Sequence, residues 1–158
     1  MALIEADEII TIVSTRNIDT GHILPAEIAI AENDYIKKAI GDDLYTAVVG
    51  DLVTYADFIT DYIQPVLAYG VLSNIWNRLG VEITDRGING FTGEGITTPQ
   101  VQDKANTLFE IRQRLSSLQR SMIDYAEEQY PDLFDDDIEY ITDEVSYNTD
   151  RVKRYTAL

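Results

Sequence analysis

Three groups of residues in this chain have types and spacings that suggest chemistry: a glycine-rich loop, a run of aspartates and a single histidine. The loop, residues 87–95, reads GINGFTGEG. It has neither the spacing of a dinucleotide-binding loop nor the lysine-serine ending of a nucleotide P-loop, and Glu94 would oppose a phosphate. We interpret it as a surface loop or hairpin tip, whose Phe91 is suited to ordering against a neighbouring subunit.

The aspartate run and the histidine favour structural roles. Asp135, Asp136 and Asp137 are consecutive with no glycine after them, whereas a calcium loop of the EF-hand type needs alternating oxygen ligands and a central glycine. A solvated or partner-facing acidic surface is favoured over a cation site. His22 precedes Pro25 and reads as a loop or capping residue, because a catalytic base also needs a nucleophile and an orienting group. We predict no enzyme activity and no cofactor.

Composition narrows the class of protein. The 158 residues include 28 acids, 12 bases and no cysteine, for a net charge of −16. A chain this acidic should repel nucleic-acid backbones, and it cannot form disulfides or thiolate metal sites. It lacks a basic leader and a long apolar run, so we expect a soluble protein made in a cytoplasm, with no membrane contact.

Apolar periodicity predicts a mainly α fold: a small helical bundle with a long helix in the C-terminal half, a short β-hairpin or glycine-rich excursion and an extended acidic C-terminal arm. Residues 1–130 form the helical domain and residues 131–158 the arm. Residues 60–79 are apolar almost all round and should be a buried central helix, in which Gly70 allows another helix to approach closely. The predicted strands are 81–84 and 88–91. The long helix is predicted from Thr98 to the residue before Pro131.

The long helix carries the main concentration of bases in this acidic chain: Lys104, Arg112, Arg114 and Arg120. One interpretation pairs them within the helix with Glu110 and Asp124. The other is that Lys104, Arg112, Arg114 and Arg120 receive an acidic surface of a neighbour, such as its acidic C-terminal arm.

The segment after Pro131 combines charge with apolar anchors. Seven acids and no base lie between residues 132 and 144. Such a segment cannot build its own core, so it is expected to dock on other protein surface. We expect a chain lacking residues 132–158 to keep its fold and to assemble less well. The predicted anchors are Phe134, Ile138, Tyr140, Ile141, Tyr147 and Tyr155.

Two stretches carry a family resemblance: residues 35–45, YIKKAIGDDLY, and residues 62–69, YIQPVLAY, followed by the glycine-rich excursion and the long helix. This order resembles the head–tail connector proteins of tailed bacteriophages, the neck ring adaptors, and is most similar to versions in crAss-like and related Bacteroidetes phages. The resemblance covers about residues 26–130. It brings no active-site residues with it.

The resemblance implies a structural virion protein at the neck, assembled in the host cytoplasm. Many copies, commonly a dodecamer, form a ring that continues the DNA channel from the portal protein to the tail. DNA then passes without sequence-specific binding, and terminal arms dock on adjacent subunits or on neighbouring neck or tail rings. The alternative from composition is an acidic helical adaptor, or a DNA-mimic inhibitor, that binds a basic host protein.

Overall fold

The structure is a computed structural model that describes residues 3–13, 20–76, 81–84, 87–90 and 101–134. Side chains are described throughout these ranges except in the two strands and in residues 101–104. The statements that follow concern these residues.

The N-terminal half is a succession of short helices. Its elements are α1 (Ala6–Val13), a 3₁₀ turn (Thr20–His22), α2 (Pro25–Ala31), a π-helical segment (Glu32–Lys37), α3 (Lys38–Ile40) and α4 (Asp42–Gly50). Pro25 stands at the start of α2, where its missing N–H is no loss. Gly41 separates α3 from α4 with a φ of 83°, a conformation that favours glycine. Both boundaries therefore follow from the backbone properties of a single residue.

The central helix is built from α5 (Ala56–Phe58), a second π-helical segment (Ile59–Ile63) and α6 (Gln64–Ile75). It packs against α1, α2 and the long C-terminal helix, so that most residues of α6 are buried. The predicted central buried helix is confirmed, although it begins at Ala56 rather than at residue 60. Pro65 has no N–H to donate to the carbonyl of Asp61, and a proline ring crowds that carbonyl in a regular α-helix. The π segment, which ends at Ile63, widens the helix just before Pro65.

The C-terminal half holds strands β1 (Val81–Thr84) and β2 (Gly87–Gly90), paired antiparallel with Val81 opposite Gly90, and the helix α7 (Val101–Gln129). At 1.5 Å per residue, the 29 residues of α7 span roughly 43 Å. It ends directly before Tyr130, because the residue preceding a proline is disfavoured in helical conformation. A mainly helical fold with a long helix in the C-terminal half is thus confirmed.

The core extends beyond the predicted domain boundary. Phe134 is 8% exposed, belongs to the core of buried apolar residues and donates its backbone N–H to the Tyr130 carbonyl at 3.0 Å. Leu133 packs against the same core. Predicting Phe134 as a partner-binding residue of the arm was therefore wrong, because its ring is already covered by its own chain. The helical body includes residues 131–134.

Gly70 permits the close approach expected of it. A Cβ built on Gly70 would lie 2.6 Å from Cδ2 of Tyr35, a residue of the first π segment. The ring cannot easily turn away, because its hydroxyl donates to Oδ1 of Asn74 at 3.1 Å.

We therefore expect Gly70→Ala to lower the free energy of unfolding by about 1–2 kcal/mol, since overpacking outweighs the gain in helix propensity of about 1 kcal/mol. Urea denaturation measures this. In a Tyr35→Ala background the same substitution should become neutral or stabilising. An equal loss in both backgrounds would contradict the proposed clash.

Candidate functional site

Helix α7 carries opposite charges in its two halves. Residues 101–120 of α7 hold four bases and two acids, whereas its last nine residues, 121–129, hold three acids and no base. This order opposes the helix macrodipole, which favours acids near the N-terminus and bases near the C-terminus. The last turn of α7 contains no base. Intrinsic helix stability therefore does not explain the arrangement.

The basic half presents a stripe along one flank of α7. Residues 105, 109, 112, 116 and 120 recur every three or four positions and so share a flank. We call this set the arginine stripe; its members are Ala105, Phe109, Arg112, Ser116 and Arg120. Phe109 is 41% exposed, Arg120 is exposed and Arg112 is half-buried. Exposed aromatic and guanidinium groups on one flank are typical of a protein-binding surface.

The structure thus places Arg112 and Arg120 on the same flank of α7 and Arg114 on the opposite flank, where it is exposed. Within the described part of the chain, neither Arg114 nor Arg120 forms an ion pair with a carboxylate. The interpretation that pairs these two arginines with Glu110 and Asp124 inside the helix was therefore wrong. Their charges face solvent and are open to a partner.

The acidic end of α7 lies against a group of aromatic rings. The tyrosine cluster comprises Tyr55, Phe58, Tyr62, Tyr125 and Tyr130. The rings of Tyr62 and Tyr125 stack with centroids 4.2 Å apart. Phe58 lies 5.5 Å from both Tyr125 and Tyr130, and Tyr55 lies 5.2 Å from Tyr130. The start of the central helix and the end of α7 together position these rings.

One residue of the tyrosine cluster is buried, and the other four are partly exposed. Phe58 is 1% exposed, whereas the four tyrosines are half-buried. Burial raises the pKa of Tyr130, and the neighbouring Tyr125, Tyr55 and Asp57 raise it further. Asp57, Asp61 and Asp124 are exposed on the segments that carry the rings. Half-exposed tyrosines beside carboxylates are suited to a guanidinium group, through cation–π contact and charge.

A second polar feature lies among α2 and α4. Glu32 is 9% exposed, and its Oε1 accepts a hydrogen bond from the Tyr45 hydroxyl at 2.6 Å. Burial raises the pKa of Tyr45 to about 12, and the hydrogen bond to Glu32 and the charge of Glu32 act in the same direction. Tyr45 therefore holds its proton and acts as a donor.

This raised pKa predicts a loss of stability in base. A tyrosine whose pKa is higher in the folded chain than its ordinary 10.0 stabilises the fold below pH 10, and that contribution disappears as the pH rises through about 12. We expect the free energy of unfolding to fall over this range, measured by urea denaturation. In Tyr45→Phe the decline should be shallower, with the Tyr130 contribution remaining. Equal slopes in both proteins would contradict the assignment.

Several predicted site residues lie outside the described residues: Phe91, Ile138, Tyr140, Ile141, Tyr147 and Tyr155, together with the aspartate run 135–137. The described residues contain no group of three or more acids and histidines placed to hold a metal ion. Of the helices described, none combines the length and apolar composition needed to cross a bilayer.

The sequence did not predict that the residues of the tyrosine cluster lie together. The tyrosines were expected in the core or at interfaces, but nothing local links Tyr55 to Tyr130 across 75 positions. The charge change along α7 is the one signal that could have marked this end of the helix. No protein-family model, curated protein or solved structure matches this chain.

Proposed function

We propose that this chain is a structural protein that assembles side to side into a ring, and that the ring is a head–tail connector in the neck of a tailed phage. The observation that carries the proposal is the pair of unlike surfaces at the two halves of α7. One is basic and the other is acidic and aromatic. The proposal makes the chain a virion component without catalytic activity.

The two surfaces are complementary in charge and chemistry. The arginine stripe offers the exposed guanidinium group of Arg120, and the tyrosine cluster offers half-exposed rings with Asp57 and Asp61 beside them. Guanidinium groups stack on tyrosine rings and pair with carboxylates. Because the surfaces differ, each copy uses one to bind the copy before it and the other to bind the copy after it. Such heterologous contacts close into a ring when the rotation between copies allows it.

Net charge supports a DNA channel. Outside residues 101–120 the chain holds 26 acids and 8 bases. Repeated around a ring, this excess gives a negative lumen that repels the DNA backbone, so that DNA passes without adhering. The resemblance of residues 26–130 to connector proteins implies that the ring lies below the portal protein and above further neck or tail rings. Residues 135–158 are proposed as an arm that docks on a neighbouring subunit or ring.

Charge reversal tests the side-to-side contact. We expect Arg120→Glu and Asp57→Arg each to weaken self-assembly at least about tenfold, because each places like charges at the interface. An equimolar mixture of the two variants should assemble again, since each altered surface then meets its altered complement. Native mass spectrometry, with and without the portal protein, gives the stoichiometry. Arg114→Glu makes the same charge change on the opposite flank of α7 and should have the smaller effect.

Two outcomes would overturn the proposal. If the wild-type protein forms no ring at any salt concentration, alone or with the portal protein, it is not a ring adaptor. If Arg114→Glu and Arg120→Glu weaken assembly equally, the arginine stripe is not the contact surface.

A second candidate function is an acidic adaptor or DNA mimic that binds a basic host protein. The charge excess outside residues 101–120 favours it, because a strongly acidic surface attracts basic partners. It predicts one-to-one complexes without ring symmetry. The same mass spectra therefore distinguish the two functions.

A further inference from the structure

A pocket that contains buried negative charge lies among the start of α1, α2 and α4. It has a volume of about 380 Å³ and is open to solvent. Its walls are largely apolar, with Ile4, Ile23 and Ile28 among them. Its polar lining comes from Glu5, Glu32 and Tyr45. The lining residues include two carboxylates and no lysine, arginine or histidine.

The carboxylate of Glu32 is the unusual group in this pocket. It is buried, and within the described chain no base pairs with it. The two nearest lysines along the chain are engaged elsewhere: Lys37 pairs with Asp42 at 3.2 Å and Lys38 with Asp34 at 2.6 Å. A buried carboxylate without a compensating charge is costly, so a cation placed in this pocket would interact favourably with Glu32.

Tyr45 holds the Glu32 carboxylate in place by a hydrogen bond. Its hydroxyl donates to Oε1 of Glu32 at 2.6 Å, which uses one oxygen of the carboxylate. Glu32 also begins the π-helical segment Glu32–Lys37, and π-helical turns occur frequently at functional sites. A carboxylate among largely apolar walls matches a cation on a hydrocarbon stem.

We propose that this pocket binds an alkylammonium or alkylguanidinium group, with the stem against Ile4, Ile23 and Ile28 and the cation on Glu32. Glu5 adds a second negative charge at the pocket lining. A charge-assisted hydrogen bond to Glu32 provides the specificity. The cation is either the lysine or arginine side chain of another protein chain or a free polyamine. This inference does not depend on ring formation.

Titration with side-chain mimics tests the pocket. Butylguanidinium and butylammonium should bind the wild-type protein, followed by chemical-shift changes of Ile23 and Ile28, whereas 1-butanol should not bind. Glu32→Gln keeps the shape and removes the charge, and should weaken binding at least about tenfold. Glu127→Gln makes the same change on an exposed residue of α7 and should leave binding unaltered. Equal binding of butanol, or unchanged binding in Glu32→Gln, would overturn the proposal.

A second variant blocks the pocket without touching the charge. Ala29 lines the pocket and is exposed, so Ala29→Phe fills the cavity from its rim while leaving the core intact. It should abolish binding of the mimics even if Glu32→Gln fails to fold, and retained binding would overturn the proposal. Binding of spermidine and of a short arginine-containing peptide then distinguishes the two possible sources of the cation. Glu32-dependent binding of the peptide identifies a protein side chain, and binding of spermidine alone identifies a free polyamine.

Discussion

Replacing Phe58 by alanine is expected to lower the free energy of unfolding by about 3–5 kcal/mol, the usual range for a buried phenylalanine. Phe58 is 1% exposed and contacts the rings of Tyr62, Tyr125 and Tyr130. Its removal leaves a cavity beneath the tyrosine cluster and separates the central helix from the end of α7. Urea denaturation of the monomer, followed by circular dichroism, measures the change.

Val53 provides the control for Phe58. It lies close to the same cluster in the chain but is 87% exposed, so Val53→Ala should change the free energy of unfolding by no more than about 0.5 kcal/mol. A loss below about 1 kcal/mol for Phe58→Ala would contradict the packing described for this end of the bundle.

Removing the Phe134 side chain should also lower the free energy of unfolding strongly. This result would show where the helical body ends. Phe134→Ala should cost about 3–5 kcal/mol, whereas a chain that ends after Phe134 should keep its stability within about 1 kcal/mol. A chain that ends after Asp132 also loses Leu133 and Phe134 from the core and should resemble Phe134→Ala. Thermal or urea denaturation of the three proteins gives the comparison.

The opposite order of stabilities would place the end of the helical domain at residue 130, as the sequence predicted. If the chain ending after Asp132 is as stable as the chain ending after Phe134, then Phe134 does not belong to the core. Its ring would then again be available to a partner, as the sequence suggested.

Much of the helical frame could be predicted because its signals are local. Pro25, Gly41 and Pro131 act on the backbone of their immediate neighbours, so the helix boundaries beside them follow from stereochemistry. The apolar character of residues 60–75 all round the helix requires burial whatever its partners are. These features depend little on the rest of the fold.

The remaining features depend on which surfaces the fold brings together. Phe134 follows a helix-ending proline and precedes a run of acids, and this local pattern fits an arm as well as a core edge. Only the position of α7 against the central helix decides between them. The pairing of Glu32 with Tyr45 likewise joins residues 13 apart on different helices. Burial of a carboxylate at that site has no local sequence signal.

The π-helical segment Glu32–Lys37 has a consequence for how this chain can change length. A π turn holds one more residue than the α turn it replaces, while the helix on either side keeps its faces in register. Losing one residue there, such as the exposed Asn33, would restore regular α-helix and leave Ile28 and Ala39 facing the core. A deletion in the middle of α7 would instead rotate everything beyond it by about 100° and expose Met122 and Ala126. The π segments are thus positions where single-residue deletions preserve the packing of the bundle.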